Sequence, residues 1–355
     1  MSSSVQESTQ NYNQSSEDSP NVQYVRLPDL FTSFMSEKPT VNPNYFRVKS
    51  KADSWIARLI KASAEWEENN SKTDMAYLAS LWGPACDGDT LRVLVDWSHW
   101  LILFDDQFDE GHLTTDIDAA RKEIEINMGI MNETQPWIGP GDDPIRHIFQ
   151  TIWDRMKKNS TPEFHQHWKD MHKAYFDGLI LQVQVTYQQK SISRNVDEYM
   201  DMRRGTVASY PAIALAEYAW GVTLPLEVIN HPSLQECLCV IADIALLDND
   251  ILSYKKDSAL GVEQNIVMLL MNQGLSAQEA MDRIGKMLDD CYKRWYTALA
   301  TVPWKGEETD RQVLRFIGCC QIIALGTLHW SFKTGRYLGP DGDQVYETRM
   351  LSLPC

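Results

Sequence analysis

Residues 91–110 read LRVLVDWSHWLILFDDQFDE, so a strongly apolar run leads directly into four carboxylates within six positions. On a helix, Asp105 and Asp109 share one face, and Asp106 and Glu110 share another, because each pair is four residues apart. Such like-charge pairs destabilise a helix unless cations bind there, and hard divalent ions such as Mg²⁺ prefer carboxylate oxygens. The stretch predicts a buried helix that ends in a metal site, although on its own a solvated acidic helix end is the alternative.

A second apolar segment with a polar end follows at residues 237–252, CLCVIADIALLDNDIL. Asn249, Ser253 and Asp257 recur at i, i+4 and i+8, which places them on one stripe of a helix. An amide, a hydroxyl and a carboxylate offer mixed oxygen ligands for a hard cation, and Lys256 adds a positive charge beside them. Asn and Ser are common on helix surfaces, but this position after a buried segment favours a second metal site.

Helical patterning dominates the chain after residue 50. Ile124, Met128 and Met131 recur at i, i+4 and i+7, as on the apolar face of a helix. Residues 160–163, STPE, combine a hydroxyl cap with a proline in the first turn and predict a long helix that extends to about residue 189. The sequence has no sustained period-two runs and no Asn-Gly or Asp-Gly hairpin turns between β-branched segments. The pattern predicts an all-α protein with about ten helices.

Clusters of Gly and Pro separate these helices, and no repeat or linker divides the chain. The sequence therefore predicts one helical domain over residues 25–350. Residues 1–24 are rich in Ser, Gln and Asn and are expected to form a disordered tail, and residues 351–355 a short C-terminal tail. The N-terminus has neither a basic start nor an apolar core, so we predict a cytoplasmic protein without a stable membrane anchor.

The net charge and the cysteine content limit the possible ligands and the expected state of the thiols. The 355 residues carry a net charge of −16, which disfavours binding to nucleic acid or to an anionic membrane. A phosphate-bearing ligand would need metal cations or a local basic cluster. The seven cysteines form no Cys-x-x-Cys pair, and their number is odd, so we expect reduced core thiols.

The two polar segments together resemble the signature of class I terpene synthases. Residues 105–109, DDQFD, resemble the aspartate-rich motif of that family, and residues 249–257, NDILSYKKD, resemble its NSE motif, NDxxSxxKE. The resemblance is closest to fungal-type sesquiterpene cyclases and covers roughly residues 40–340. It implies a single-domain α-helical bundle around an apolar active-site cavity, in which a prenyl diphosphate is ionised and cyclised.

The resemblance also implies an arginine that senses the diphosphate, 46 positions before the NSE asparagine. Because 249 − 46 = 203, that residue is Arg203. The family breaks a helix here, and Gly205 with the nearby Pro211 are the expected breakers. Thr206 would then be the linker, and Val207 the effector whose backbone carbonyl faces the substrate.

Further site residues follow from the same resemblance. An Arg-Tyr pair near the C-terminus is matched by Arg336 and Tyr337. The last NSE position is usually Glu but is Asp257 here, so its carboxylate reaches about 1.5 Å less far. Phe104 and Trp330, which precede the first motif and the Arg-Tyr pair, are expected to line the cavity, since aromatic faces stabilise cations.

The implied reaction is the ionisation of farnesyl diphosphate and its cyclisation to a C15 hydrocarbon or alcohol, with release of diphosphate. Three Mg²⁺ ions are expected, two held by the first motif and one by the second. The predicted metal ligands are Asp105, Asp106, Asp109, Asn249, Ser253 and Asp257. The predicted diphosphate ligands are Arg203, Lys256, Arg336 and Tyr337, and the predicted catalytic residues are Asp105, Arg203, Arg336 and Tyr337.

Several alternatives stay open. A cyclase of this type could act on geranyl or geranylgeranyl diphosphate instead. A non-catalytic protein that binds a prenyl diphosphate follows if Asp257 fails as a ligand. A chain-elongating prenyltransferase would need a second aspartate-rich motif, which residues 249–253 replace. The resemblance fits either a monomer or a homodimer.

Overall fold

The computed structural model describes residues 23–188, 195–262 and 264–353. The described residues form fifteen α-helices, two 3₁₀ turns and two short strands. The strands are β1 Gln23–Arg26 and β2 Met350–Leu353, and the 3₁₀ turns are Ser33–Ser36 and Gly339–Asp341. The helices are α1 Tyr45–Ile60, α2 Ala64–Thr73, α3 Met75–Trp82, α4 Gly88–Asp109, α5 Ile117–Met131, α6 Pro144–Lys157, α7 Pro162–Tyr187, α8 Val196–Thr206, α9 Ser209–Trp220, α10 Leu226–Ile229, α11 Pro232–Leu260, α12 Ile266–Asn272, α13 Ala277–Leu299, α14 Glu307–Lys333 and α15 Gly342–Thr348.

The helix starts follow from local capping chemistry. At the start of α7, the Thr161 hydroxyl accepts the Phe164 N–H at 3.2 Å, and Pro162 occupies the first turn. This confirms the predicted start, and the helix ends at Tyr187, close to the expected end. The count exceeds the expected ten because helices as short as α10 and α12 give no resolvable period in the sequence.

The helices pack as a bundle, which confirms the all-α class. α11 packs against α13 and α14, α4 against α3 and α6, and α7 against α8 and α9. The apolar run before the first motif is buried as predicted, with Trp97, Trp100 and Phe104 fully enclosed. Burial of these faces against one another supplies the main driving force for the fold.

The first and last segments of the described residues meet in a strand pair that the sequence did not predict. β1 and β2 are antiparallel, with Gln23 opposite Leu353 and Arg26 opposite Met350. Residues 23, 24 and 351–353 therefore belong to the fold and not to the predicted tails. The proposed disordered segment 1–22 lies outside the described residues.

Helix α14 is the one helix in the described ranges that is long and apolar enough to cross a membrane. Of its most apolar window, 61% is buried inside the bundle, as is usual for a core helix. Six cysteines within those ranges are free thiols, as expected. Cys86 and Cys239 are only half-buried rather than core residues, and Cys355 lies outside the described residues.

Candidate active site

A cavity of about 780 Å³ lies between α3, α4, α7, α9, α11 and α14. Its wall is largely apolar and aromatic, while one end carries the polar residues of both motifs. On α4, Ser98 and Asp105 both line the cavity and are separated by two helical turns, or about 10 Å along the axis. The cavity therefore has an apolar interior and an acidic end. Its principal apolar lining residues are Leu78, Trp82, Ile102, Phe108, Ala212 and Trp330.

The first motif places two carboxylates on the cavity. Asp105 Oδ1 accepts a hydrogen bond from the Tyr175 hydroxyl at 2.7 Å, and Asp109 Oδ1 accepts one from Gln182 Nε2 at 2.7 Å. Burial, and then the neighbouring charge of Asp109, raise the pKa of Asp105 to about 8. Burial also raises the pKa of Asp109. A bound cation would favour the charged carboxylates, so this is an arrangement that a divalent ion would stabilise.

Sequence reasoning missed Tyr175 and Gln182, which orient those carboxylates. They are seven residues apart on α7, so they lie on one face of that helix. That spacing was visible in the sequence, but nothing in it indicated that this face would meet α4.

Asp106 differs from its neighbours, because it does not line the cavity. Its Oδ1 accepts a hydrogen bond from Arg336 Nη2 at 3.3 Å, and 42% of its side chain is exposed. Among the described residues, no three His, Cys, Asp or Glu side chains converge on one metal position. A metal here would therefore need neutral oxygen ligands, water or substrate oxygens, as Mg²⁺ commonly does.

The three predicted ligands of the second motif, Asn249, Ser253 and Asp257, all line the cavity. Asn249 Nδ2 donates to the Tyr337 hydroxyl at 2.9 Å, and its Oδ1 accepts from Arg203 Nη2 at 3.3 Å. The Ser253 hydroxyl donates to Asp257 Oδ2 at 2.5 Å. Their mixed oxygen ligands fit a hard cation, and the short Asp257 remains on the cavity surface.

Arg203 is held beside the second motif by an ion pair. Its Nη2 lies 3.1 Å from Asp250 Oδ1, and its Nη1 donates to Thr206 Oγ1 at 3.0 Å. Burial alone would lower the pKa of Arg203, but the charge of Asp250 raises it, so the guanidinium stays charged. Its buried Nε has no hydrogen-bond partner among the described residues. A donor left unpaired at this position is suited to a ligand oxygen.

The remaining predicted diphosphate ligands lie on the same cavity. Lys256, Arg336 and Tyr337 all line it, and Lys256 Nζ is 3.8 Å from Asp257 Oδ1. Burial would lower the pKa of Arg336, yet Tyr337 and the carboxylates raise it. The acidic end of the cavity therefore also holds the positive groups that a diphosphate requires.

The helix break next to Arg203 is present, but its cause differs from the expected one. α8 ends at Thr206 and α9 begins at Ser209, and Ala208 adopts a left-handed conformation with φ of 55°. Gly205 lies inside α8, and a Cβ at this position would come within 2.9 Å of Gly178 Cα on α7. Gly205 thus permits close helix packing rather than the break, which lies at residues 207 and 208.

The expectations for the two aromatics have different outcomes. Trp330 lines the cavity, and its Nε1 donates to the Thr73 carbonyl at 2.8 Å. Phe104 does not line it, because its ring is fully buried and stacks on Trp100 with centroids 4.8 Å apart. Phe108, one helical turn later, lines the cavity instead.

Comparison with known proteins decides the family. A family model described as terpene synthase family 2, C-terminal metal binding, matches residues 96–294, which is more than half of the chain. The chain belongs to this terpene synthase family. The resemblance to fungal-type class I sesquiterpene cyclases is therefore confirmed, and the protein is a terpene cyclase that acts on a prenyl diphosphate and uses a divalent metal.

Individual relatives agree with this assignment. The chain is 45% identical over 330 residues to (+)-eremophilene synthase of Gibberella fujikuroi, covering 93% of this chain and 92% of that protein. It is 43% identical over 350 residues to (1R,4R,5S)-(-)-guaia-6,10(14)-diene synthase of Fusarium proliferatum, covering 95% and 87%. The crystal structure of a-eudesmol synthase superposes with a TM-score of 0.74 at 20% identity, covering 84% of this chain and 98% of that one. This last likeness supports the fold.

Proposed function

We propose that this terpene cyclase converts farnesyl diphosphate into a cyclic C15 hydrocarbon or alcohol in a magnesium-dependent reaction. The observation that carries the proposal is the convergence of both metal motifs and three cationic side chains on one end of an otherwise apolar cavity. The names of the two sesquiterpene-forming relatives favour the C15 substrate. Asp105 and Asp109, assisted by Asp106 from the rim, are the proposed ligands of two ions.

The second motif supplies the proposed site for a third ion, through the oxygens of Asn249, Ser253 and Asp257. When bound, Mg²⁺ supplies Lewis-acid stabilisation of the negative charge on the departing diphosphate. Arg203 and Arg336 are fixed donors at the same place, and preorganised charges of this kind stabilise a developing anion without reorganisation. Their positive charges also offset the repulsion between an anionic substrate and a protein with a net charge of −16.

The apolar part of the cavity is proposed to fold and protect the prenyl chain. Trp82, Phe108 and Trp330 border this space, and aromatic side chains can stabilise a passing cation. Exclusion of water by the apolar wall prevents early capture of a reactive intermediate. The chain's own residues thus bind the diphosphate at one end and shape the hydrocarbon at the other.

The test is incubation of the purified protein with farnesyl diphosphate, with magnesium or with EDTA, followed by gas chromatography–mass spectrometry. We expect a cyclic C15 product with magnesium and none with EDTA. Asp105→Asn serves as the matched control, because it preserves the shape of the side chain and removes its charge. Geranyl and geranylgeranyl diphosphate, tested in parallel, decide the chain length.

The second candidate is a protein that binds a prenyl diphosphate without converting it. The observation that keeps it open is Asp257, whose shorter side chain stands where the family usually has Glu. This candidate predicts no volatile product from any of the three substrates, together with retained binding of the diphosphate.

A further inference from the structure

Asn265 connects the second motif to the helix that follows it. The residue is fully buried and is the N-cap of α12, where its Oδ1 accepts the Val267 N–H at 3.0 Å. Its Nδ2 donates to the Asp250 carbonyl oxygen at 2.8 Å and to Asp257 Oδ2 at 3.1 Å. One side chain therefore joins the start of α12 to two residues of α11.

The contacts on Asp257 are concentrated on one of its two oxygens. Oδ2 accepts from both Asn265 and the Ser253 hydroxyl, the latter at 2.5 Å. The other oxygen, Oδ1, lies 3.8 Å from Lys256 Nζ, which is beyond hydrogen-bond distance. Two donors on one oxygen fix the rotation of the carboxylate, so Oδ1 is the oxygen left for a cation.

We propose that Asn265 is a positioning residue that aims the Asp257 carboxylate at the third metal ion, an inference that rests on the proposed function. A side chain one methylene shorter than Glu has less reach and must be directed accurately. Asn265 supplies that direction from α12 by holding Oδ2, which leaves Oδ1 for the proposed metal. The Ser253 hydroxyl can donate its hydrogen bond to Asp257 Oδ2 while a lone pair on the Ser253 oxygen remains available to a metal.

The competing explanation is that Asn265 only caps α12. Asn265→Ser separates the two roles, because Ser is a good N-cap but is too short to reach Asp257. Asn195→Ser is the matched control. Asn195 is the N-cap of α8, and its Oδ1 accepts the Asp197 N–H at 2.9 Å, two residues on, as Asn265 does with Val267.

The readout is the rise in melting temperature caused by inorganic diphosphate at increasing magnesium concentration, because a ligand that binds only the folded state stabilises it. We expect Asn265→Ser to raise the magnesium concentration that gives half of the maximal rise in melting temperature. The increase should be roughly 10- to 100-fold, the usual cost of losing a hydrogen-bond partner of a metal ligand. Asn195→Ser should leave that concentration unchanged. The melting temperature in EDTA reports any general loss of stability. If Asn265→Ser does not fold, Asn265→Thr replaces it, because Thr is a larger capping residue.

A second comparison uses Asp257→Glu. The longer side chain reaches the metal without help, so Asn265→Ser should have a much smaller effect in that background, and the two changes should be non-additive. The inference would be overturned if the wild type and Asn265→Ser needed the same magnesium concentration for half of the maximal rise. It would also be overturned if Asn265→Ser had the same effect in the wild-type and Asp257→Glu backgrounds. If the wild type itself shows no magnesium-dependent rise, the diphosphate site of the proposed function fails as well.

Discussion

Adjacent carboxylates of the first motif have different surroundings, although the sequence presents them as equivalent. Asp105 is enclosed at the end of α4 and accepts a hydrogen bond from Tyr175. Asp106 is 42% exposed on its side chain and pairs with Arg336. The contrast supports the proposal that Asp105 binds the metal directly, whereas Asp106 pairs with Arg336 at the rim of the cavity.

This contrast gives a prediction at the level of single residues. We expect Asp105→Asn to lower turnover by roughly 100-fold or more, since it removes charge from inside a water-excluded site. Asp106→Asn should lower it by only about 10-fold, because an exposed ion pair is weak and screened by salt. Initial rates at saturating magnesium measure both effects. The assignment is wrong if Asp106→Asn is as damaging as Asp105→Asn while both variants retain the wild-type melting temperature.

At the level of elements, the contact between α7 and α8 positions Arg203. Gly178 on α7 lies directly against Gly205 on α8, and a Cβ at Gly178 would come within 2.6 Å of the Gly205 carbonyl carbon. The contacted atoms are backbone, so they cannot rotate away as a side chain would. Because Arg203 lies about two turns from the start of α8, any displacement of that helix also moves the end of the cavity that is proposed to bind the diphosphate.

We predict that Gly178→Ala destabilises the protein by about 1–3 kcal/mol, the usual cost of overpacking. Alanine normally favours a helix over glycine by about 1 kcal/mol, so a loss of stability would show that the helix contact outweighs this preference. Gly141→Ala is the control, because a Cβ there meets no atom within 4 Å. It should change the free energy of unfolding by less than about 0.5 kcal/mol. Urea denaturation of both variants measures this, and an unchanged midpoint for Gly178→Ala would contradict the packing argument.

At the level of the whole molecule, the sequence predicted what depends on local pattern and missed what depends on long-range contacts. The motif residues could be predicted because their spacing puts them on one helix face. The prediction that Phe104 lines the cavity was wrong because each step of one residue turns the side chain by about 100° around the helix axis. Asp105 therefore faces the cavity, whereas Phe104 beside it faces the core. Tyr175 and Asn265 have no local signature, since their roles arise only when α7 meets α4 and when α12 meets α11. The β1–β2 pair joins the first and last described segments, and its strands are too short to give a recognisable period.

The interior of the molecule also holds a histidine that is neutral for structural reasons. His172 is fully buried on α7, and its Nδ1–H donates to the Trp168 carbonyl at 3.0 Å. Its Nε2 accepts a hydrogen bond from the Trp97 indole N–H at 3.1 Å, so both nitrogens are used by the neutral ring. Burial lowers the pKa of His172 to about 3.

This lowered pKa predicts acid sensitivity of the entire fold. The unfolded chain takes up a proton on His172 near its ordinary pKa of about 6.5, whereas the folded chain does not until about pH 3. The free energy of unfolding should therefore fall as the pH drops from about 6.5 toward 3, by up to about 1.4 kcal/mol per pH unit from this group.

His172→Gln keeps a donor and an acceptor but does not titrate. Between about pH 6.5 and 5, the wild type should lose about 1.7 kcal/mol more than the variant in urea denaturation, because proton uptake by the unfolded chain rises from about half a proton to nearly one over this interval. Other titrating groups are common to both chains and cancel in the difference, so parallel pH curves would mean that the His172 ring accepts a proton inside the folded core.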